Sequence, residues 1–183
     1  MSVMEFILVA HAIVVGLAVA EILRGLADLV RAEATLISYR LLLIAGWALL
    51  LLWQVWWAIW RVGNRAEWTF PEFLILLLPV AILYVIARVC FPVEVTKSDL
   101  QAYYLRVAPV IFLLVAATYA TFAFLLQPFI FGGFYPWTFA SQLVLVVLAI
   151  IASRIQSPAF HFVVLTAMIA QVAWRGLSTV VGS

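Results

Sequence analysis

The sequence is poor in charge, in cysteine and in histidine. Only 10% of its 183 residues are charged, whereas 68% are hydrophobic, and the mean hydropathy is +1.23. Soluble domains contain about 25% charged and about 45–50% apolar residues. A chain with this composition cannot cover itself with polar groups in water, so the bilayer must be its solvent. The sequence therefore predicts an all-α integral membrane protein.

The scarce reactive residues exclude several kinds of site. The single cysteine, Cys90, excludes an internal disulfide and a cysteine-ligated metal. The two histidines, His11 and His161, belong to opposite halves of the predicted bundle, so a shared haem iron or metal ion is not expected. No phosphate loop or protease motif occurs. We therefore predict no metal, no cofactor and no catalytic residues, and we favour a protein that is not an enzyme.

The charge balance also limits the partners. The formal net charge is +2, and the basic residues do not form a run. A nucleic-acid partner is therefore not expected. The expected partners are the lipid bilayer and either further copies of this chain or another membrane subunit, because 183 residues are few for a self-contained transporter.

Six apolar stretches are long enough to cross a bilayer. Thr69 and Glu72 have capping-box spacing before the third stretch, as do Ser98 and Gln101 before the fourth. Ser157 precedes a first-turn proline at the start of the sixth. We predict one domain, residues 1–183, with spans over residues 4–31, 36–61, 71–91, 99–127, 136–154 and 158–181, joined by short loops.

The first span resembles a secretory signal peptide in its apolar core, residues 6–17, and its small-residue segment, residues 18–20. However, Glu5 precedes the core, no Lys or Arg does, and the apolar pattern continues past Glu21. We therefore expect a retained transmembrane helix.

The basic residues predict the orientation. The loops after the first, third and fifth spans share one side of the membrane. That side carries Arg24, Arg31, Arg40, Arg88, Lys97, Arg106 and Arg154, whereas the other carries Arg61, Arg65 and Arg175. The positive-inside rule places both termini on the non-cytoplasmic side. For a bacterial cell, we expect a multi-pass protein of the inner membrane.

The first helix has a polar face. At 100° per residue, His11, Glu21, Arg24 and Asp28 fall in one half of the helix together with small residues. The other half is apolar and suited to lipid: Val15, Val19, Ile22, Leu26 and Val30. Because a charge at the bilayer centre costs about 2.5–3.5 kcal/mol, this polar stripe must be paired, shallow or hydrated.

Three interpretations of the polar stripe remain open. Glu21 and Asp28 both have helical spacing to Arg24, which predicts intrahelical ion pairs and a structural role. Alternatively, the stripe lines a permeation path or a proton relay in which Glu21 titrates. As a third interpretation, the stripe is the interface with a partner subunit.

Tryptophans concentrate at the predicted non-cytoplasmic ends of the helices. Trp53, Trp56, Trp57 and Trp60 have spacings that place them on one face of the second helix. Interfacial anchoring explains such a face. It is also suited to cation–π capture of a quaternary ammonium, or to stacking on a quinone or a lipid headgroup. The uncharged aromatic segment 127–137 is predicted to dip into the same headgroup layer or to re-enter the membrane.

Three classes of function fit these features. A small oligomeric channel or transporter, using the polar stripe, is favoured. The second class is a non-catalytic accessory or scaffold subunit of a larger membrane complex. The third is a membrane-embedded enzyme or a binder of lipid or quinone.

A substitution tests the permeation interpretation. If Glu21 titrates in a transport path, Glu21→Gln removes the ionisable group and changes the flux measured in proteoliposomes. A flux that is unchanged by Glu21→Gln would leave the polar stripe with a structural role only.

Overall fold

The computed structural model describes residues 3–31, 38–62, 67–92 and 99–178. Its six long helices are each apolar enough to cross a membrane. They are α1 Val3–Arg31, α2 Tyr39–Ala58, α3 Phe70–Cys90, α4 Leu100–Thr121, α5 Pro136–Arg154 and α6 Pro158–Ser178. The predicted all-α membrane bundle is confirmed, and the protein is a multi-pass membrane protein.

The predicted helix starts rest on side-chain caps. The Thr69–Glu72 capping box is formed, with the Thr69 backbone N–H donating to Glu72 Oε2 over 2.8 Å. At the start of α4 the N-cap is Asp99, whose Oδ1 accepts from two backbone N–H groups of the first turn. Ser157 Oγ accepts from the backbone N–H of Phe160 over 3.4 Å. These caps satisfy N–H groups that a helix itself leaves unpaired.

The fourth span is longer than predicted. Beyond α4 the chain continues as a π-helix, Phe122–Ile130, so the predicted end of the span at residue 127 is wrong. Pro128 has no N–H for a normal helical bond, and the wider turn instead lets the Phe131 N–H donate to the Leu126 carbonyl over 3.0 Å. Gly132 then takes a positive φ of 74°, which ends the helical segment.

Several predicted boundaries cannot be compared with the structure. Residues 36–37 of the second span and 179–181 of the sixth lie outside the described residues. The predicted cap Ser98 and the basic residues Lys97 and Arg65 also lie outside them.

The helices alternate in direction, so the bundle has two distinct ends. At the basic end, where α1, α3 and α5 stop and α2, α4 and α6 begin, lie Arg31, Arg40, Arg88, Arg106 and Arg154. At the opposite tryptophan end lie Trp53, Trp57, Trp60, Trp137 and Trp174. The main packed pairs are α1 with α3, α3 with α4, α4 with α5, and α2 with α6. The largest fully buried side chains include Trp47, Tyr104, Phe112 and Tyr119.

Helix α1 packs only in part through the face that the sequence predicted: His11 of the polar half is buried, but so are residues of the apolar half. Its buried residues follow a spacing of three and four: Ile7, His11, Val15, Ala18, Ile22, Gly25 and Leu29. Val15 and Ile22, predicted to face lipid, are therefore buried, whereas the Arg24 side chain is 59% exposed. At 29 residues, α1 is about 43 Å long, which exceeds the roughly 30 Å hydrocarbon core. Its charged residues near the basic end therefore do not need to be buried.

The close contact between α1 and the end of α3 depends on Gly25. A Cβ placed on Gly25 would overlap the ring of Phe91, well inside van der Waals contact. By contrast, a Cβ on Gly16 of the same helix would have no neighbour within 4 Å. The two glycines therefore offer a matched test of this contact.

Gly25→Ala is expected to destabilise the protein by about 1–3 kcal/mol, because it overpacks the contact with Phe91. Gly16→Ala is expected to be neutral or to stabilise by about 0.5–1 kcal/mol through helix propensity. Thermal unfolding in detergent measures both. Equal effects of the two substitutions would show that α1 and Phe91 are not in close contact.

Candidate functional site

The charged part of the polar stripe lies at the basic end of the bundle. Glu21 Oε1 accepts a hydrogen bond from Arg24 on the same helix and one from Arg88 Nη1 of α3 over 2.5 Å. Arg88 lies two residues before the end of α3, so Glu21 is level with that end. The Glu21 side chain is only 16% exposed. The carboxylate thus joins α1 to α3 through Arg88, whereas Arg24 binds it from within α1.

Asp28 does not follow the predicted pairing. Its carboxylate lies 3.7 Å from Arg31 Nη1, one turn further towards the end of α1, instead of pairing with Arg24. Arg24 instead forms its ion pair with Glu21. Because the Arg31 side chain is 80% exposed and that of Asp28 41% exposed, water screens their pair, which contributes little to stability.

A small cleft lies beside these charges. It has a volume of about 100 Å³ and is lined by Glu21, Arg24, Asp28 and Arg88 together with Gly25, Ala87, Phe91 and Pro92. Further into the membrane, the buried face of α1 continues with Ile22, Ala18 and Val15. The cleft therefore has room for a few waters at the basic end, and apolar packing lies between it and the membrane centre. This geometry supports the structural interpretation; a role in permeation stays a prediction.

His11 is separated from these charges and is fully buried near the tryptophan end. Its ring stacks on Trp56, with centroids 6.2 Å apart and an interplanar angle of 24°. Neither ring nitrogen has a hydrogen-bond partner in the described part of the chain. Through its stacking on His11, Trp56 faces α1. By contrast, Trp53, Trp57 and Trp60 are exposed on the outer surface of the bundle. The predicted single tryptophan face is therefore divided.

His161 lies in the other half of the bundle and fastens α6 to its neighbours. Its Nε2 lies 2.9 Å from the Ala152 carbonyl of α5, and its Nδ1 lies 2.6 Å from the Tyr104 hydroxyl of α4. A carbonyl oxygen only accepts, so Nε2 carries a proton. In the neutral ring, Nδ1 then accepts a hydrogen bond from the Tyr104 hydroxyl. All three helices are held together at the basic end.

Arg40 extends this buried polar cluster to α2. It is 6% exposed, and it donates to Gln101 Oε1 over 2.9 Å and to the Tyr39 hydroxyl over 2.8 Å. Its guanidinium carbon also lies 5.5 Å from the centre of the Tyr104 ring. Its partners among the described residues are neutral. The sequence indicated Arg40 only as an orientation signal, because its neighbours come from distant helices.

The opposite half of the same four helices encloses a large lateral groove. It has a volume of about 970 Å³ and lies between α2, the α4–π-helix segment, α5 and α6. It is lined by Leu50, Leu51, Trp53, Gln54, Val55, Trp57, Ala58, Tyr119, Phe122, Gln127, Phe131, Tyr135, Trp137, Thr138, Ser141, Gln142, Gln171, Val172, Ala173, Trp174, Arg175, Gly176 and Leu177. Because exposed tryptophans form its rim, the groove opens to the lipid side.

Four glutamines, from four helical segments, line the groove. Gln127 Nε2 donates to Gln142 Oε1 over 2.5 Å, and Gln127 Oε1 accepts from the Tyr135 backbone N–H over 3.1 Å. Gln54 Nε2 lies 3.4 Å from the Val172 carbonyl. The carboxamide of Gln171 makes no hydrogen bond to a described residue, and its Nε2 is enclosed. An apolar groove with polar groups at a few positions is typical of a small-molecule site.

The groove is the feature that sequence reasoning missed. From the sequence, the scattered mid-span polar residues are most simply interhelical hydrogen-bonding groups: Gln142, Gln171, Thr118, Thr121 and Thr166. Gln142 does bond across helices, to Gln127. The three threonines donate instead to backbone carbonyls four residues earlier in their own helices. The available signal was that all four glutamines fall in the half of the membrane that holds the tryptophans.

No protein-family model, curated protein or solved structure matches this chain. The function must therefore be inferred from the geometry of the groove and of the buried polar groups.

Tyr104→Phe tests whether the His161 cluster fastens the basic end. The substitution leaves Nδ1 of a buried histidine without its hydrogen bond, which is expected to cost about 1–3 kcal/mol in unfolding free energy. Thr166→Val is the control, since Thr166 is exposed and bonds only its own helix. Thermal unfolding in detergent measures both, and an unchanged melting temperature for Tyr104→Phe would contradict the fastening role.

Proposed function

We propose that this multi-pass protein binds an amphipathic small molecule of the lipid phase in the groove between α2, α4, α5 and α6. The observation that carries the proposal is the groove itself, which combines about 970 Å³ of space with a lining of apolar, aromatic and amide side chains. The lining presents hydrogen-bonding groups to a polar head and apolar surface to a chain. A lateral opening gives such a molecule access from the bilayer.

The groove supports this class over a channel or transporter built on the polar stripe. Glu21 is held by two arginines, and apolar residues follow it towards the membrane centre. An accessory or scaffold subunit is compatible with the fold, but it leaves the four groove glutamines without a role. We also propose, from the basic residues, that the basic end faces the cytoplasm. The groove then opens in the outer leaflet of the membrane. In a bacterial cell this is the periplasmic leaflet of the inner membrane.

Filling the groove tests the proposal. Ser141 lines the groove, whereas Val144, one turn further along α5, is exposed on the outer surface. Ser141→Phe places an aromatic ring in the groove, and Val144→Phe places the same ring in lipid. We expect wild type and Val144→Phe to retain a bound lipid-phase molecule and Ser141→Phe to lose it.

Native mass spectrometry provides the measurement. The three proteins are reconstituted in phosphatidylcholine and phosphatidylglycerol doped with decylubiquinone and dioleoylglycerol, and are then released into the gas phase. The proposal predicts a discrete adduct of one of these molecules whose occupancy falls only in Ser141→Phe. The same adducts in all three proteins, or none in wild type, would contradict it.

A further inference from the structure

The hydrogen bonds around the groove fix which polar atoms remain for a ligand. The Tyr135 backbone N–H can only donate, so the carboxamide oxygen of Gln127 faces it, and its nitrogen faces Gln142. Gln142 therefore presents its oxygen to Gln127. Its own Nε2 donates to no group in the described part of the chain and stays available to the groove.

The hydroxyl of Tyr119 is fixed in the same way. The indole N–H of Trp47 only donates, so the Tyr119 oxygen accepts it, over 3.1 Å. The Tyr119 hydroxyl then donates a hydrogen bond to none of the described residues. Gln171 adds a carboxamide that makes no hydrogen bond, and its last torsion is soft enough to turn its nitrogen towards a ligand. The deep part of the groove thus offers two fixed donors and one adaptable donor.

The depth of these donors limits the charge of their ligand. Gln142 lies six residues from the start of α5, and Gln171 lies seven residues from the end of α6. At 1.5 Å per residue, both are about 9–10 Å inside the tryptophan end. An ionic head is costly at that depth, whereas a neutral carbonyl oxygen accepts hydrogen bonds without that cost.

The walls of the groove favour a flat conjugated head. Eight of the 23 lining residues are aromatic, and the lining contains no Asp or Glu; its one basic residue, Arg175, lies close to the end of α6 and not at the depth of the donors. Aromatic side chains stack on planar rings in offset or edge-to-face arrangements. A head that combines a planar ring with carbonyl acceptors and an apolar tail matches the walls, the donors and the lipid opening together.

We propose that the ligand of the groove is a membrane quinone, whose carbonyl oxygens accept hydrogen bonds from Gln142, Gln171 and Tyr119. This inference rests on the proposed groove function and names its ligand class. The hydroquinone form is a weaker ligand, because a phenolic oxygen is a poorer acceptor than a quinone carbonyl and its own proton needs an acceptor that these three donors do not supply. Gln54 Oε1 accepts no hydrogen bond from a described residue, so it is the free acceptor among the hydrogen-bonded amides of the groove. It lies nearer the tryptophan end than the donors do.

Titration with decylubiquinone, read by native mass spectrometry in mild detergent, tests the ligand class. Gln171→Leu is the decisive variant because Gln171 has no hydrogen bond to lose within the described protein, so the variant should keep the wild-type melting temperature. We expect its dissociation constant for decylubiquinone to rise roughly tenfold, the size of one lost hydrogen bond to a buried group. Tyr119→Phe, which keeps the ring, is expected to weaken binding similarly. Thr166→Val, outside the groove, should bind as wild type does.

The remaining arms separate this inference from the groove function. Decylubiquinol, kept reduced, is expected to bind roughly tenfold more weakly than decylubiquinone. In one outcome, Ser141→Phe removes an adduct of phosphatidylglycerol or dioleoylglycerol with which decylubiquinone does not compete. That result overturns the quinone as the ligand but leaves the proposed groove function standing. Equal affinity of Gln171→Leu and wild type also overturns the quinone. If Ser141→Phe removes none of the four molecules, both proposals fall.

Discussion

A polar side chain inside a bilayer has no water to bond, so leaving it without a partner in the protein or in a ligand costs free energy. This constraint organises the bundle. At the basic end, His161 is satisfied by Tyr104 and by the Ala152 carbonyl. In the other half, the amide of Gln142 and the hydroxyl of Tyr119 are satisfied only in part, and the amide of Gln171 has no partner among the described residues. The fully bonded polar groups at the basic end are therefore structural, whereas the incompletely bonded groups in the other half are candidates for binding a ligand.

The same helices form both halves. Helices α4, α5 and α6 meet around His161, which closes the bundle there, and with α2 they border the groove towards the tryptophan end. The two regions are separated along α4 by Phe112, which packs on His161 with ring centroids 4.7 Å apart, and by the bond between Trp47 and Tyr119. Of these side chains only Tyr119 lines the groove, and its bond to Trp47 holds its hydroxyl in place there.

The sequence predicted the features that depend on neighbouring residues. Apolar runs located the six spans, and the capping pattern at Thr69 and Glu72 located the start of α3. Features that depend on which helices become neighbours were missed. Arg88 is 67 residues from its partner Glu21, so only the folded bundle brings them together. The groove is likewise a gap between four helices, and the angular pattern of any single helix carries no information about such a gap.

The most direct measurement is a crystal structure of the protein grown from a lipid mesophase that contains decylubiquinone. The expected result is density for the quinone ring between α2, α4, α5 and α6, with a carbonyl oxygen within hydrogen-bond distance of Gln142 Nε2 or of the Gln171 carboxamide. The contradictory result is a groove closed by packing of α5 against α6, with the Gln171 carboxamide bonded to protein atoms.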